Sequence, residues 1–290
     1  MYDTAIIVFV SALLVESFII IAANIFTIFV FWKHRNRLKR PSFLLINLAV
    51  ADLLVGLTDS VASGTCYLPR HLGESNFNNT HEGNIFSTFQ ISFSFTSVFF
   101  LVLISLERAY ALIWPLRHRA ASYKCHVYGA SFAWITTIFT WALTLLALDN
   151  ILSFSYWTVA TSSVMVLCLI TICVSYLTIR TRLSLRVPSM DTTHKKQKEA
   201  QQNAKLSRTL FIVITASLFF WIPSIVVYAT HYLCFKCVPL LLFYGFNLFR
   251  LANSLVNPII YSYRIPMFRE MFKRKKLCMR SKRYTVNYMR

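Results

Sequence analysis

The chain has 290 residues, 56% of them hydrophobic and 14% charged, with 30 Lys and Arg against 11 Asp and Glu. Soluble domains average about 25% charged residues, so the composition excludes a water-soluble fold. It also excludes nucleic acid as the partner behind the net charge of +19, because the basic residues stand in short gaps between long apolar runs and form no basic face.

A helix crosses the hydrocarbon core with about 20 mainly apolar residues. Seven stretches qualify: 4–32, 42–65, 84–106, 127–148, 156–179, 209–233 and 238–263. The first run is too long for a cleavable signal and continues into its own span, which carries Asn24. Span two reads NLAVADLL, with Asp52 in its middle and Asp59 two turns further on. The loop behind it holds the sequon Asn78-Asn79-Thr80, a glycosylation acceptor if that loop faces outward. Span three, FSTFQISFSFTSVFF, is rich in Ser and Thr and belongs at the centre of a bundle rather than against lipid. It closes with SLERAYALIWPLRHR, where the adjacent Glu107 and Arg108 can pair at the membrane boundary.

Span four carries Trp134, and span five carries Cys168 and Tyr176 in SYLTI. The loop Arg180–Arg208 is basic and polar, including KKQKEAQQNAK. Span six contains FFWIP, with Trp221 two residues before Pro223; the proline removes a helical hydrogen bond and permits a kink. In HYLCFKCVP, Cys234 and Cys237 either close a small loop or remain free thiols. Span seven reads NSLVNPIIY and holds Arg250, Asn253, Asn257 and Pro258. Beyond it, Met267, Phe268, Met271 and Phe272 recur at i, i+1, i+4 and i+5. They predict a short amphipathic helix over 264–276 lying on membrane lipids, then a tail over 277–290. Cys278 fits either palmitoylation or a free thiol.

Twenty-seven of the 30 basic residues fall after spans one, three, five and seven or at their ends. The positive-inside rule therefore places the N-terminus outside and the C-terminus in the cytoplasm. Two intramembrane charges need partners. Asp52 has Asn24, Ser97, Asn253 and Asn257 at similar depth, an oxygen set suited to a small cation, to ordered water, or to a purely structural cluster. Arg250 either pairs with Asp59, or with Glu16 of span one, or receives an acidic group of a ligand.

In this order and on these spans, the motifs resemble those of rhodopsin-like (class A) G-protein-coupled receptors. The resemblance rests on Asn24, LAVAD, the ERA version of the Asp-Arg-Tyr motif, Trp134 and Tyr176, then FWIP and NSLVNPIIY. It covers almost the whole chain. It implies an all-α seven-transmembrane helix bundle in the plasma membrane, with an eighth helix on the cytoplasmic side. It implies a receptor that converts an extracellular ligand into activation of a heterotrimeric G protein by outward movement of helix six. Glu107, Arg108, Tyr176, Trp221, Pro223, Pro258 and Tyr261 become the activation residues. Asp52, Ser97, Asn253, Asn257 and Asn24 become a sodium and water network. Gln90, Ser94, Asp59, Trp221, Asn247 and Arg250 become the ligand pocket.

Departures from the pattern narrow the class. Leu251 stands where opsins carry their Schiff-base lysine, and Gln90 where amine receptors carry an aspartate. Gly83 replaces the cysteine at the top of helix three, and Cys168 the proline of helix five. These features are nearest the melanocortin, cannabinoid and lysophospholipid branch, although melanocortin receptors have aspartate at the position of Asn257. Asn203 stands where some receptors hold the Arg of helix three with an acid, and Glu199 lies one turn earlier. The rival reading is a secondary transporter, which predicts internal repeats and broken helices; no repeat is visible and six glycines offer few breaks. An enzyme is disfavoured by the lack of HExxH, GxSxG or paired catalytic aspartates.

Overall fold

In a computed structural model the described residues are 2–34, 41–68, 80–120, 122–149, 151–184, 211–213, 215–227, 229–230, 237–264 and 267–271. They are helical almost throughout. The membrane-scale helices are α1 (Tyr2–Lys33), α2 (Pro41–Val61), α3 (Thr80–Ile113), α4 (Lys124–Leu148), α5 (Phe154–Ser184), α6 (Phe211–Val227, with residue 214 outside the description) and α7 (Leu240–Arg264). Asn78, Cys234, Cys278, Asn203, Glu199, Phe272, the loop 185–210 and the tail lie outside the described residues.

Five of these helices, α1 to α5, are long and apolar enough to span a membrane by themselves. Of the other two, α6 is described over Phe211–Val227, and α7 sets Asn247, Arg250, Asn253, Ser254 and Asn257 among its apolar residues. The polarity of the bundle is inverted relative to a soluble protein. Phe132, Ile135, Ile138 and Phe139 of α4 are exposed, whereas Ser17, Asn24, Asp52, Asp59, Asn253 and Asn257 are buried. Lipid solvates the outside, so polar groups must find partners within.

The most enclosed helix is α3, with 56% of its apolar window buried against 17% for α4. It packs against α2, α4 and α5, while α7 closes on α1 and α2. Its hydroxyls are tolerated because they bond back to their own helix: Ser92 to the Thr88 carbonyl at 2.8 Å, Ser94 to Gln90 at 2.8 Å and Thr96 to Ser92 at 2.9 Å. Expected to end at 106, the third span continues helically to Ile113. There Trp114 leaves the helix and Pro115 opens a short one, Pro115–Ala120, as a proline does at a first helical turn.

Two details were not anticipated, a π-helical turn and the seat that the expected short helix takes against α1. The end of α2 widens into a π-helical turn, Ala62–Tyr67, and Tyr67 at its end hydrogen-bonds Ser87 of α3. Beyond α7, residues 267–271 are helical and Phe268, wholly buried, packs edge-on against Phe26 and Phe31 of α1 at 6.0 and 5.4 Å.

Candidate functional site

Polar side chains gather in three layers along the bundle, two of them buried and the third, at Glu107, half-buried. The first surrounds Arg250, which is 3% exposed. Its Nη1 donates to Ser94 Oγ at 2.8 Å, and its Nη2 donates to Gln90 Oε1 at 3.1 Å and to Asn247 Oδ1 at 3.3 Å. Gln90 in turn donates from Nε2 to Asp59 Oδ1 at 2.6 Å, and Ser17 of α1 donates to Asp59 Oδ2 at 2.5 Å. The expected Asp59–Arg250 ion pair is thus replaced by a relay, because the Gln90 amide inserts its donor toward the acid and its acceptor toward the base. Glu16, the second expected partner, keeps Oε2 buried and without a hydrogen bond among the described residues. The approach of α1 to α2 here depends on Gly56. A Cβ there would lie 3.0 Å from Ile20 Cγ2 and 3.1 Å from the Ser17 carbonyl oxygen.

Beside this layer lies a chamber of about 390 Å³ between α3, α4, α5, α6, α7 and Tyr67. Of the six residues expected to line a ligand pocket, Trp221 and Arg250 reach it; Gln90, Ser94, Asp59 and Asn247 form the layer behind. The chamber also draws Thr140, Thr144 and Leu148 from α4, a helix the sequence reading left out. The Arg250 guanidinium lies 5.9 Å from the Trp221 ring centre.

The second layer centres on Asp52. Ser97 donates to Oδ1 at 2.7 Å and Asn257 donates from Nδ2 to Oδ2 at 2.8 Å. Asn253 is buried here without a described hydrogen bond to Asp52. Asn24 has a different task. Pro258 cannot donate to the carbonyl four residues earlier, and that carbonyl, Ser254 O, accepts from Asn24 Nδ2 at 3.2 Å. Oδ1 of Asn24, Asn253 and Asn257 and the Tyr261 hydroxyl are buried with no partner among the described residues. With the Asp52 carboxylate, this is an all-oxygen donor set of the kind hard cations and ordered water take.

The third layer is Glu107. Its Oε2 meets Arg108 Nε at 2.8 Å, its Oε1 meets His118 Nε2 at 2.9 Å, and His126 stands 3.8 Å away. The continued helix places Arg108 a turn and more inside α3, with its side chain 10% exposed. His118, on the short helix after Pro115, was missed by the sequence reading because a lone histidine among arginines carries no motif. Tyr176 stacks on Phe211 of α6 at 4.2 Å, and Tyr261 packs edge-on to Phe31 at 5.9 Å; neither has a described hydrogen bond to Arg108. Cys237 is disulfide-bonded, and Cys125, Cys168 and Cys173 are free.

Comparison with known sequences adds an independent line. The profile of the 7 transmembrane receptor (rhodopsin family) matches residues 23–261. The chain is 26% identical to Opsin-1 of Schistocerca gregaria, over 88% of its own length and 73% of that protein. It is 24% identical to Adenosine receptor A3 of Canis lupus familiaris, over 94% of each chain. It is likewise 24% identical to Octopamine receptor beta-1R of Drosophila melanogaster, over 92% of this chain and 61% of that one.

Proposed function

This chain belongs to the rhodopsin family of seven-transmembrane receptors, and we propose that its chamber, Asp52 layer and Glu107 layer are the ligand, coupling and effector stations of one signalling path. It is a multi-pass G-protein-coupled receptor of the plasma membrane, answering an extracellular ligand. In this reading the chamber faces outward and the Glu107 end faces the cytoplasm, as the distribution of basic residues implies. The observation that carries it is the continuity of buried polar groups in a bundle with an apolar exterior, running from Arg250 through Asp52 and Asn257 to Tyr261. Such groups are costly within a membrane and are retained where they act. We assign no catalytic step.

Ligand binding beside Trp221 biases the kink at Pro223 and favours the state in which α6 stands away from α3. Only a difference in affinity between the two states drives that shift. Pro258 loosens α7, and Asn24 holds the carbonyl it frees. The Asp52 layer fits a sodium ion or ordered water; Asp52, Asn24, Asn253 and Asn257 are the residues that would hold it, supplying charge compensation in one state. Arg108 leaves Glu107 to meet the G protein. The short helix beyond α7, described over 267–271, lies on lipid, with Phe268 as its anchor to α1.

Arg108→Ala tests the path. It should abolish receptor-stimulated nucleotide exchange in membranes reconstituted with purified G proteins while surface expression persists. Exchange at the native rate would overturn the assignment of Arg108.

A further inference from the structure

If the chamber is the ligand site, its lining also specifies the chemistry of the ligand. Arg250 is the one charged residue among the described lining residues, and the acids nearest to it, Asp59 and Glu16, stand outside the lining. The rest is aromatic and aliphatic, including Phe95, Trp157, Met165, Trp221 and Phe243, with a scatter of hydroxyls. Several of those hydroxyls already give their proton to their own helix: Thr88 to Ile85, Ser92 to Thr88, Thr144 to Thr140 and Thr161 to Trp157. Their protons are thus committed to the backbone, and Thr144 also accepts from Trp157 at 3.1 Å, so these four hydroxyls offer an anion no free donor.

Arg250 differs from a guanidinium retained only to bind a carboxylate. All three of its described side-chain hydrogen bonds go to neutral oxygens, and its Nε–H is buried with no partner among the described residues. Its positive charge is relayed to Asp59 by an amide and quenched by no direct contact. A buried guanidinium with an unmade bond favours an anion strongly, because charge-assisted hydrogen bonds are the strong ones. A cationic ligand would meet this charge with no carboxylate in the lining to offset it. A volume of about 390 Å³ sits at the lower end of the range of about 300–1,000 Å³ for small-molecule sites, which selects against a long peptide.

We propose that the chamber binds a small amphipathic acid, with one anionic head on Arg250 and an apolar body among Phe95, Met165, Trp157 and Phe243. Recognition and signalling then share a residue. The head engages the guanidinium that lies over Trp221, so acid binding acts on α6 beside Pro223. The head is a carboxylate or a phosphate monoester, both of which match the guanidinium fork.

The test uses the full-length receptor in lipid nanodiscs, with octanoate, dodecanoate, 3-phenylpropionate and octyl phosphate as probes and the matched primary amides, alcohols and amines as controls. Thermal stability and G-protein nucleotide exchange are measured together. At least one acid should act at a concentration tenfold or more below that of its neutral analogue, the amines should be inert, and the stronger of the carboxylate and phosphate arms identifies the head. Arg250→Gln should raise the effective concentration at least tenfold, with Arg250→Lys intermediate. Should Arg250→Gln fail to reach the membrane, Thr161→Trp, which fills the chamber away from the relay, should abolish the acid response. Inert acids, amides or amines equal to the acids, or an acid response that survives Arg250→Gln or Thr161→Trp would each overturn the proposal. A neutral or cationic ligand that drives exchange would defeat it and leave the receptor path standing. Loss of the path itself shows instead as exchange indifferent to Arg108→Ala.

Discussion

Asp52 and Asp59 sit two turns apart on α2, both buried, yet their surroundings are built on different plans. Asp59 receives donors from Ser17 and Gln90, and Gln90 connects it to the positive charge of Arg250. Its countercharge is part of the chain. Among the described residues Asp52 receives neutral donors, Ser97, Asn257 and Ser254, and is ringed by amide oxygens with no partner among them. Its countercharge has to come from a mobile ion or a proton. One carboxylate is therefore a structural joint between α1, α2, α3 and, through Gln90, α7, while the other is free to report on the state of the bundle.

The comparison breaks first on stability. Asp59→Ala leaves the buried donors of Ser17 and Gln90 unmet, at about 1–3 kcal/mol each, and removes the relayed countercharge of Arg250, so it should cost about 3–5 kcal/mol. Asp52→Asn keeps hydrogen bonding to Ser97 available and should stay within about 1 kcal/mol of the native receptor. Thermal unfolding of the two variants in the same detergent checks the order; equal losses would erase the distinction. Gly56→Ala probes the same joint from its backbone. A Cβ 3.0 Å from Ile20 and 3.1 Å from the Ser17 carbonyl oxygen must push α1 away and lengthen the Ser17–Asp59 bond. The expected cost is about 1–3 kcal/mol by overpacking.

Sodium sharpens the comparison where stability ends. Replacing an inert organic cation by sodium at constant ionic strength should lower basal nucleotide exchange of the native receptor several-fold, within the usual range of coupling between sites. Asp52→Asn should make exchange indifferent to sodium, and Gly56→Ala should keep the response. A response that persists in Asp52→Asn would leave that layer a purely structural cluster.

The seven spans were legible because length and apolarity are properties of a single helix. What joins the helices was not, because it depends on register between them. Gln90 could be placed at the level of Arg250, but no spacing announces that its amide would divide Asp59 from the guanidinium. Asn24 was grouped with Asp52 by depth, whereas its Nδ2 serves the carbonyl that Pro258 leaves unpaired. That link was derivable in principle, since every intramembrane proline creates such a carbonyl four residues earlier. The π-helical turn at Ala62–Tyr67 has no proline within it, and its glycine, Gly64, fits an ordinary helix as well. The chamber's α4 wall escaped notice because Thr140 and Thr144 look like spacers in a lipid-facing helix.

Glu107 supplies the smallest and most discriminating case, a third carboxylate between the two plans. Like Asp59 it has a built-in cation, Arg108 at 2.8 Å; like Asp52 it stands where the proposed path requires a change of state. Its second oxygen is occupied by His118 at 2.9 Å, from the short helix Pro115–Ala120 that follows α3. The hydrogen bond from His118 and the ion pair with Arg108 together orient the carboxylate, and the guanidinium contact depends on that orientation. His118→Ala removes one of them at a cost near 1 kcal/mol. Arg108 should then leave Glu107 more readily, raising basal exchange up to about fivefold by the same energy. His118→Gln retains a side-chain donor and should restore most of the native rate. Sodium should still suppress the raised exchange in His118→Ala, because Asp52 and its oxygens are untouched. If His118→Ala lowers basal exchange instead, the histidine competes with Arg108 for the carboxylate rather than orienting it.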